Sequence, residues 1–199
     1  MSVIIALKYN NGVVIGADKQ ATCNNIKYNN VQKIYHSKYS NTAFGGVGSM
    51  RDIDILSTYL DDIMDYKDIL DNIKLSRQYV IRKIVPKFIS TLEENKRLGK
   101  DVDIALSYSS FMVADSETIY EIDSDFFVTE GKDYCVLGCG YQLVKGYLDG
   151  IHLNELSRPE AIDLVEKCVV ECCKDDCYIG EDLDVIVLEK EKKKKTKND

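Results

Sequence analysis

Ser2 has the most direct route to chemistry in this sequence, because it follows an initiator Met1. A small second residue permits removal of the methionine. The product then carries a hydroxyl and a free α-amine on one residue. A serine hydroxyl is a weak nucleophile near neutral pH and needs a base. An α-amine titrates at about 7.7–8.0, so near neutrality part of it is unprotonated and able to take the hydroxyl proton. Residue 2 alone thus holds a nucleophile and its base, although serine is also an ordinary second residue with no chemical role.

Other groupings offer less. Cys168, Cys172, Cys173 and Cys177 fall at i, i+4, i+5 and i+9 of one predicted helix. Zinc sites use closer pairs, so this spacing reads as a buried helix face built from small hydrophobes. His36 and His152 are the only histidines, and neither stands near a recognisable nucleophile turn. Gly45-Gly46-Val47-Gly48 lacks the Lys-Ser/Thr that completes a phosphate loop. No metal, nucleotide or organic cofactor is implied.

The 199 residues suffice for one domain with a substantial core. Net charge is −7, and the end of the chain, Glu189–Asp199, sets six lysines against three acids, so the body carries −10. An acidic body argues against a nucleic-acid-binding face, and the lysine-rich end reads as a solvated, disordered tail. No run approaches the roughly 20 apolar residues of a membrane span, and no signal peptide is visible. Seven cysteines, an odd number, fit reduced thiols and a cytoplasmic location better than a disulfide framework.

The elements next along the chain must position Ser2. Val3–Leu7 and Val13–Ala17 are apolar runs joined through Asn11-Gly12, a hairpin signal. The first strand therefore begins almost at the terminus, which is unusual unless the terminus is tied into a sheet. Asn24–Asn30 reads as a turn, Val31–Tyr35 as a strand edge, and Thr42–Phe44 as a strand entering a glycine-dense turn. A helix starts near Ser49, with Ile53, Leu56, Leu60, Ile63 and Met64 at helical spacing. A second helical pattern runs from Asn72 to Leu98, with Pro86 expected to kink or split it. Strand-like runs come next at Ile104–Val113, Thr118–Ile122, Phe126–Thr129 and Tyr134–Leu137. Gly138-Cys139-Gly140 turns into a helix ending near Gly150. Ser157-Arg158-Pro159-Glu160 forms a capping box that opens a helix to about Asp175, and Leu183–Leu188 closes the chain. Helices come in pairs rather than alternating with strands. This predicts an α+β fold of two antiparallel sheets face to face with helix pairs outside them, and no doubly wound nucleotide fold.

The segments Ser2-Val3-Ile4-Ile5-Ala6, Tyr9–Asp18 and Ala21-Thr22, in this order and spacing, resemble the opening of mature proteasome β subunits and of the bacterial peptidase HslV. The resemblance extends to Asn30-Val31-Gln32-Lys33-Ile34, Gly48-Ser49-Met50-Arg51-Asp52, Gly138-Cys139-Gly140 and Asp176-Cys177-Tyr178-Ile179-Gly180. It implies the four-layer α-β-β-α sandwich of N-terminal nucleophile hydrolases over residues 1–188, with 189–199 as a tail. It also implies peptide-bond hydrolysis through an acyl-enzyme on Ser2, unfolded polypeptides as substrates, self-association into stacked rings and an ATP-dependent unfoldase partner.

By the same resemblance, Lys33 stands beside Ser2, where its charge disfavours a second ammonium and supports a developing oxyanion. Asp18 pairs with Lys33, Gly48 offers an oxyanion N–H at a helix start, and Asp176 with Cys139 orients the amine. Ala21, Thr22, Gly46 and Gly48 fall on the substrate cleft. Gly46 at a pocket floor implies an open pocket, with Asp52 or Asp54 placed to favour a basic side chain. Three departures stand out: serine replaces the usual threonine, Cys139 replaces a serine, and Ile179 replaces another. A small-amide hydrolase on this fold and a catalytically inactive ring subunit are the alternative readings.

Overall fold

The computed structural model describes residues 2–64, 74–96 and 109–190. Its strands are β1 (Val3–Tyr9), β2 (Gly12–Asp18), β3 (Ala21–Cys23), β4 (Ile26–Tyr28), β5 (Ile34–His36), β6 (Thr42–Val47), β7 (Ser110–Asp115), β8 (Ile119–Ile122), β9 (Val128–Gly131), β10 (Tyr134–Gly138) and β11 (Leu183–Glu189). They form antiparallel sheets of order β10-β1-β2-β11 and β5-β6-β7-β8-β9, with β3-β4 a separate hairpin. The helices are α1 (Met50–Thr58), α2 (Leu60–Ile63), α3 (Arg77–Tyr79, Val80–Ile84 and Val85–Lys96 in succession), α4 (Tyr141–Leu148) and α5 (Arg158–Asp175).

Three apolar layers hold these elements together, and β1 explains why. Alternate side chains of a strand point to opposite faces. Ile4 and Ala6 face the second sheet, where they meet Ile34, Ala43, Met112 and Ala114. Val3, Ile5 and Leu7 face outward against Val144, Val165 and Val169 of α4 and α5. Because both faces are covered, β1 is apolar at nearly every position and the terminus is anchored rather than frayed. The outer face of the second sheet carries Phe44, Phe111 and Val113 against Ile53, Leu56 and Phe88 of α1 and α3. Phe88 meets both Phe44 and Phe111 edge-on, with centroids 5.6 and 5.5 Å away. The result is the four-layer α-β-β-α sandwich expected from the sequence.

Several local expectations change in the structure. Gly45 and Gly46 belong to β6 rather than to a turn, because the sheet packs too closely there for side chains. A Cβ on Gly45 would lie 3.2 Å from Ile34 Cγ2, and one on Gly46 would lie 2.8 Å from Ile53 Cγ1. The predicted turn over Asn24–Asn30 contains β4. Asn24 and Asn25 turn it with φ of 49° and 63°, the left-handed backbone that asparagine tolerates in a two-residue hairpin. The edge predicted at Val31 begins at Ile34. Pro86 does not split α3. The π-helical turn Val80–Ile84 precedes it, and widening the helix there accommodates a ring with no N–H to donate.

The expected helix start at Asn72, its end at Leu98 and the strand start at Ile104 lie outside the described residues, as do positions 191–199 of the tail. The first two tail positions are ordered. Glu189 is in β11, and Lys190 N–H donates to the Asn11 carbonyl at 3.0 Å. The capping box of α5 is present, with the Glu160 carboxylate 2.8 Å from Ser157 N–H.

Candidate functional site

The end of β2 delivers Asp18 to a point with no solvent exposure, beneath the start of β1. Its Oδ1 accepts from Lys33 Nζ at 2.7 Å and from Val3 N–H at 2.9 Å. Its Oδ2 accepts from Gln20 N–H and Gly180 N–H, both at 3.1 Å. A buried carboxylate is costly unless paired and hydrogen-bonded, and here four donors meet it. Lys33, 1% exposed, lies immediately before β5 and donates also to the Gln20 carbonyl at 2.5 Å. Burial lowers its affinity for a proton, and the Asp18 charge works against that.

Ser2 is buried next to Val3, whose N–H Asp18 holds. Its carbonyl accepts from Cys139 N–H at 3.1 Å and from the Cys139 thiol at 3.4 Å. Gly138 makes the approach possible. It adopts φ +93°, and a Cβ there would fall on the Ser2 carbonyl oxygen, so only glycine fits. The Cys139 thiol also hydrogen-bonds Asp176, the residue that ends α5. Burial first, and the Asp176 carboxylate second, push this thiol up to about 11. The thiol's hydrogen bond, together with Tyr178 N–H at 2.9 Å, holds Asp176 below the usual carboxylate range. Ser2, Asp18, Lys33, Cys139 and Asp176 thus form one linked group.

The remaining expected positions lie on β3 and at the end of β6. Gly48 lies just past β6 with φ 113°, next to Ser49, whose side chain caps α1 by accepting from Asp52 N–H. Gly46 N–H donates to the Lys33 carbonyl at 3.1 Å, which fixes β6 against the lysine. Ala21 and Thr22 open β3 directly after Gln20 and are half-buried. Thr22 Oγ1 is buried with no hydrogen-bond partner among the described residues.

The open pocket expected beneath Gly46 is absent. Ile53 and Phe111 occupy that space, with atoms 2.8 and 3.2 Å from where a Cβ would sit. Asp52 is buried and accepts from Ser109 Oγ at 3.0 Å, while Asp54 is exposed, so neither forms the base of an open pocket at Gly46. The cysteine face also divides. Cys168 and Cys172 are buried as small hydrophobes, whereas Cys177 lies beyond α5 and is exposed. Among the described residues no three His, Cys, Asp or Glu side chains converge as metal ligands, and no helix is long and apolar enough to cross a membrane.

Gln20, Gly180 and Gly138 belong to the site without having been expected there from sequence. Gly138 opens the Gly138-Cys139-Gly140 motif, so its special backbone was open to suspicion. Nothing local marks Gln20, whose partners are Asp18, Lys33 and, 157 positions away, Cys177.

A family model described as "Proteasome subunit" matches residues 2–188. The chain belongs to the proteasome subunit family. Among curated relatives, proteasome subunit beta 2 of Pyrococcus furiosus is 27% identical over 191 residues, covering 94% of this chain and 86% of the relative. Proteasome subunit beta 1 of Thermococcus gammatolerans is 28% identical over 185 residues, covering 90% and 85%. The crystal structure of HslV from Trypanosoma brucei superposes with a TM-score of 0.68 at 19% identity, covering 94% of this chain and 99% of that one. The chain is a proteasome-like peptidase subunit, and the family match begins at Ser2.

Proposed function

We propose that loss of Met1 exposes Ser2 as an N-terminal nucleophile that cleaves peptide bonds of unfolded polypeptides through an acyl-enzyme ester. The single observation that carries this reading is the buried Asp18–Lys33 pair, tied through Val3 N–H to the residue after Ser2. The serine oxygen attacks the scissile carbonyl carbon as its proton passes to the α-amine. Lys33 keeps that amine neutral by repulsion, and Gly48 N–H receives the oxyanion at the α1 terminus. The protonated amine then gives its proton to the leaving nitrogen, and water hydrolyses the ester by the same route. Asp176 and Cys139 orient the amine. The polypeptide lies along Ala21 and Thr22, with Gly48 on the opposite bank.

On this reading residues 1–188 act as one peptidase domain in stacked rings in the cytoplasm, supplied by an ATP-dependent unfoldase. The test is intact mass together with Ser2→Ala. The mature chain is expected to lack Met1, and the alanine variant to fold but hydrolyse no fluorogenic peptide. Full hydrolysis by the variant rejects the nucleophile. One observation favours a second reading, an inactive ring subunit: Ile179, where a supporting serine is expected, is buried in the apolar core. Retention of Met1 in the purified chain decides for it.

A further inference from the structure

We propose that Gln20 is a positioning residue that locks the Asp18–Lys33 pair to the loop bearing Asp176. The proposal rests on the peptidase reading and deepens it. Gln20 is 6% exposed and makes contacts of three kinds. Its N–H donates to Asp18 Oδ2 and its carbonyl accepts from Lys33 Nζ. Its side-chain Nε2 donates to the Cys177 carbonyl at 3.0 Å. The backbone contacts survive any substitution of the side chain, so the third contact is separable from the first two.

That third contact joins two arms that both end at the nucleophile. One arm runs from Gln20 through Asp18 to Val3 N–H. The other runs from Gln20 to the Cys177 carbonyl, back one residue to Asp176, across to Cys139 and onto the Ser2 carbonyl. Gly180 is shaped for this crossing, since a Cβ there would lie 2.8 Å from Gln20 Cβ. Beside the crossing is a cleft of about 440 Å³ lined by Gln20, Gly180, Lys27, Cys173 and Glu181. Cutting the bond leaves the loop room to shift toward that cleft. Since a displacement of about 1 Å costs up to about 100-fold in rate, the hydrogen bond from one side-chain amide matters to turnover.

Gln20→Met tests this, because methionine keeps the length and loses the donor; Gln20→Leu, uncharged and likewise without a donor, replaces it if the methionine chain does not assemble. In the full chain after Met1 removal, kcat is expected to fall about tenfold or more, with KM within about twofold. A carboxylate near an amine raises its pKa. Displacing Asp176 therefore lowers the Ser2 amine pKa and moves the acid limb of the kcat/KM profile to lower pH. A purely structural role lowers the melting temperature and leaves that limb in place. Wild-type kcat with an unmoved limb overturns the proposal. Hydrogen exchange at Cys177–Gly180 gives a readout free of catalysis, with exchange in Gln20→Met expected to quicken about tenfold. Should Ser2→Ala, run in parallel, keep full hydrolysis, the nucleophile reading fails and exchange alone decides on Gln20; an unchanged rate there overturns the clamp.

Discussion

Lys33 Nζ stands 2.7 Å from Asp18 Oδ1 with neither side chain exposed to solvent. The pair is costly to bury and costlier to break, because removing one partner leaves the other charge inside. Its retention beneath the first strand makes sense if the charge acts on the residue at the head of that strand.

Lys33→Ala is therefore expected to lose about 10²–10³ in turnover with little change in KM, since developing negative charge is met mainly in the transition state. Removing the lysine charge raises the amine pKa, so the acid limb moves to higher pH, opposite to the shift expected for Gln20→Met. Lys33→Arg should not restore turnover, because a planar guanidinium does not fit a closed space shaped for one ammonium. The pH–rate profiles of both variants check this, and near-normal turnover in Lys33→Ala rejects the site assignment.

Asp176→Asn should speed alkylation of Cys139. The thiol stands at about 11, in part because its thiolate would face the Asp176 carboxylate. Neutralising that carboxylate lowers the thiol pKa and increases the thiolate fraction. Alkylation at pH 8 should then rise about threefold or more. Peptide mapping separates Cys139 from Cys23 and Cys177, which are exposed as it is. A rate equal to wild type means the two groups are not in contact.

Gly138→Ala should cost about 2 kcal/mol or more, because it forces a side chain onto a positive φ and against the Ser2 carbonyl. Urea unfolding measures the loss. Hydrolysis should fall further than stability explains, since the clash displaces the nucleophile itself.

Gly46→Ala should destabilise by about 1–3 kcal/mol through overpacking against Ile53. Combining it with Ile53→Ala should cost less than the two single changes added together. Strict additivity in denaturant titrations indicates that Gly46 faces open space after all.

The sequence by itself determined the elements whose causes are local. The hairpin signal around Asn11-Gly12 marked the first reversal of the chain, although its two turn residues are Asn10 and Asn11 and Gly12 already pairs with Tyr9 in β2. Ser49 and the Ser157/Glu160 box started their helices where expected. The pairing of helices against runs of strands is enough for the layered architecture, because each apolar face must be covered by another. Motif order pointed to Ser2, Asp18, Lys33, Cys139 and Asp176, and the fold links them.

Tertiary structure decided what depends on distant partners. Whether Gly45 and Gly46 turn or pair depends on Ile34, Ile4 and Ile53, which no local pattern names. Pro86 stays inside a helix because the turn before it widens while the helix remains packed on the second sheet. The Gln20 bond spans 157 positions, the Gly180–Asp18 bond 162, and the Cys139–Ser2 contact 137. Periodicity tells which face of an element is buried. It does not tell against what, and polar groups far apart in the chain acquire their roles only when packing brings them within hydrogen-bond reach.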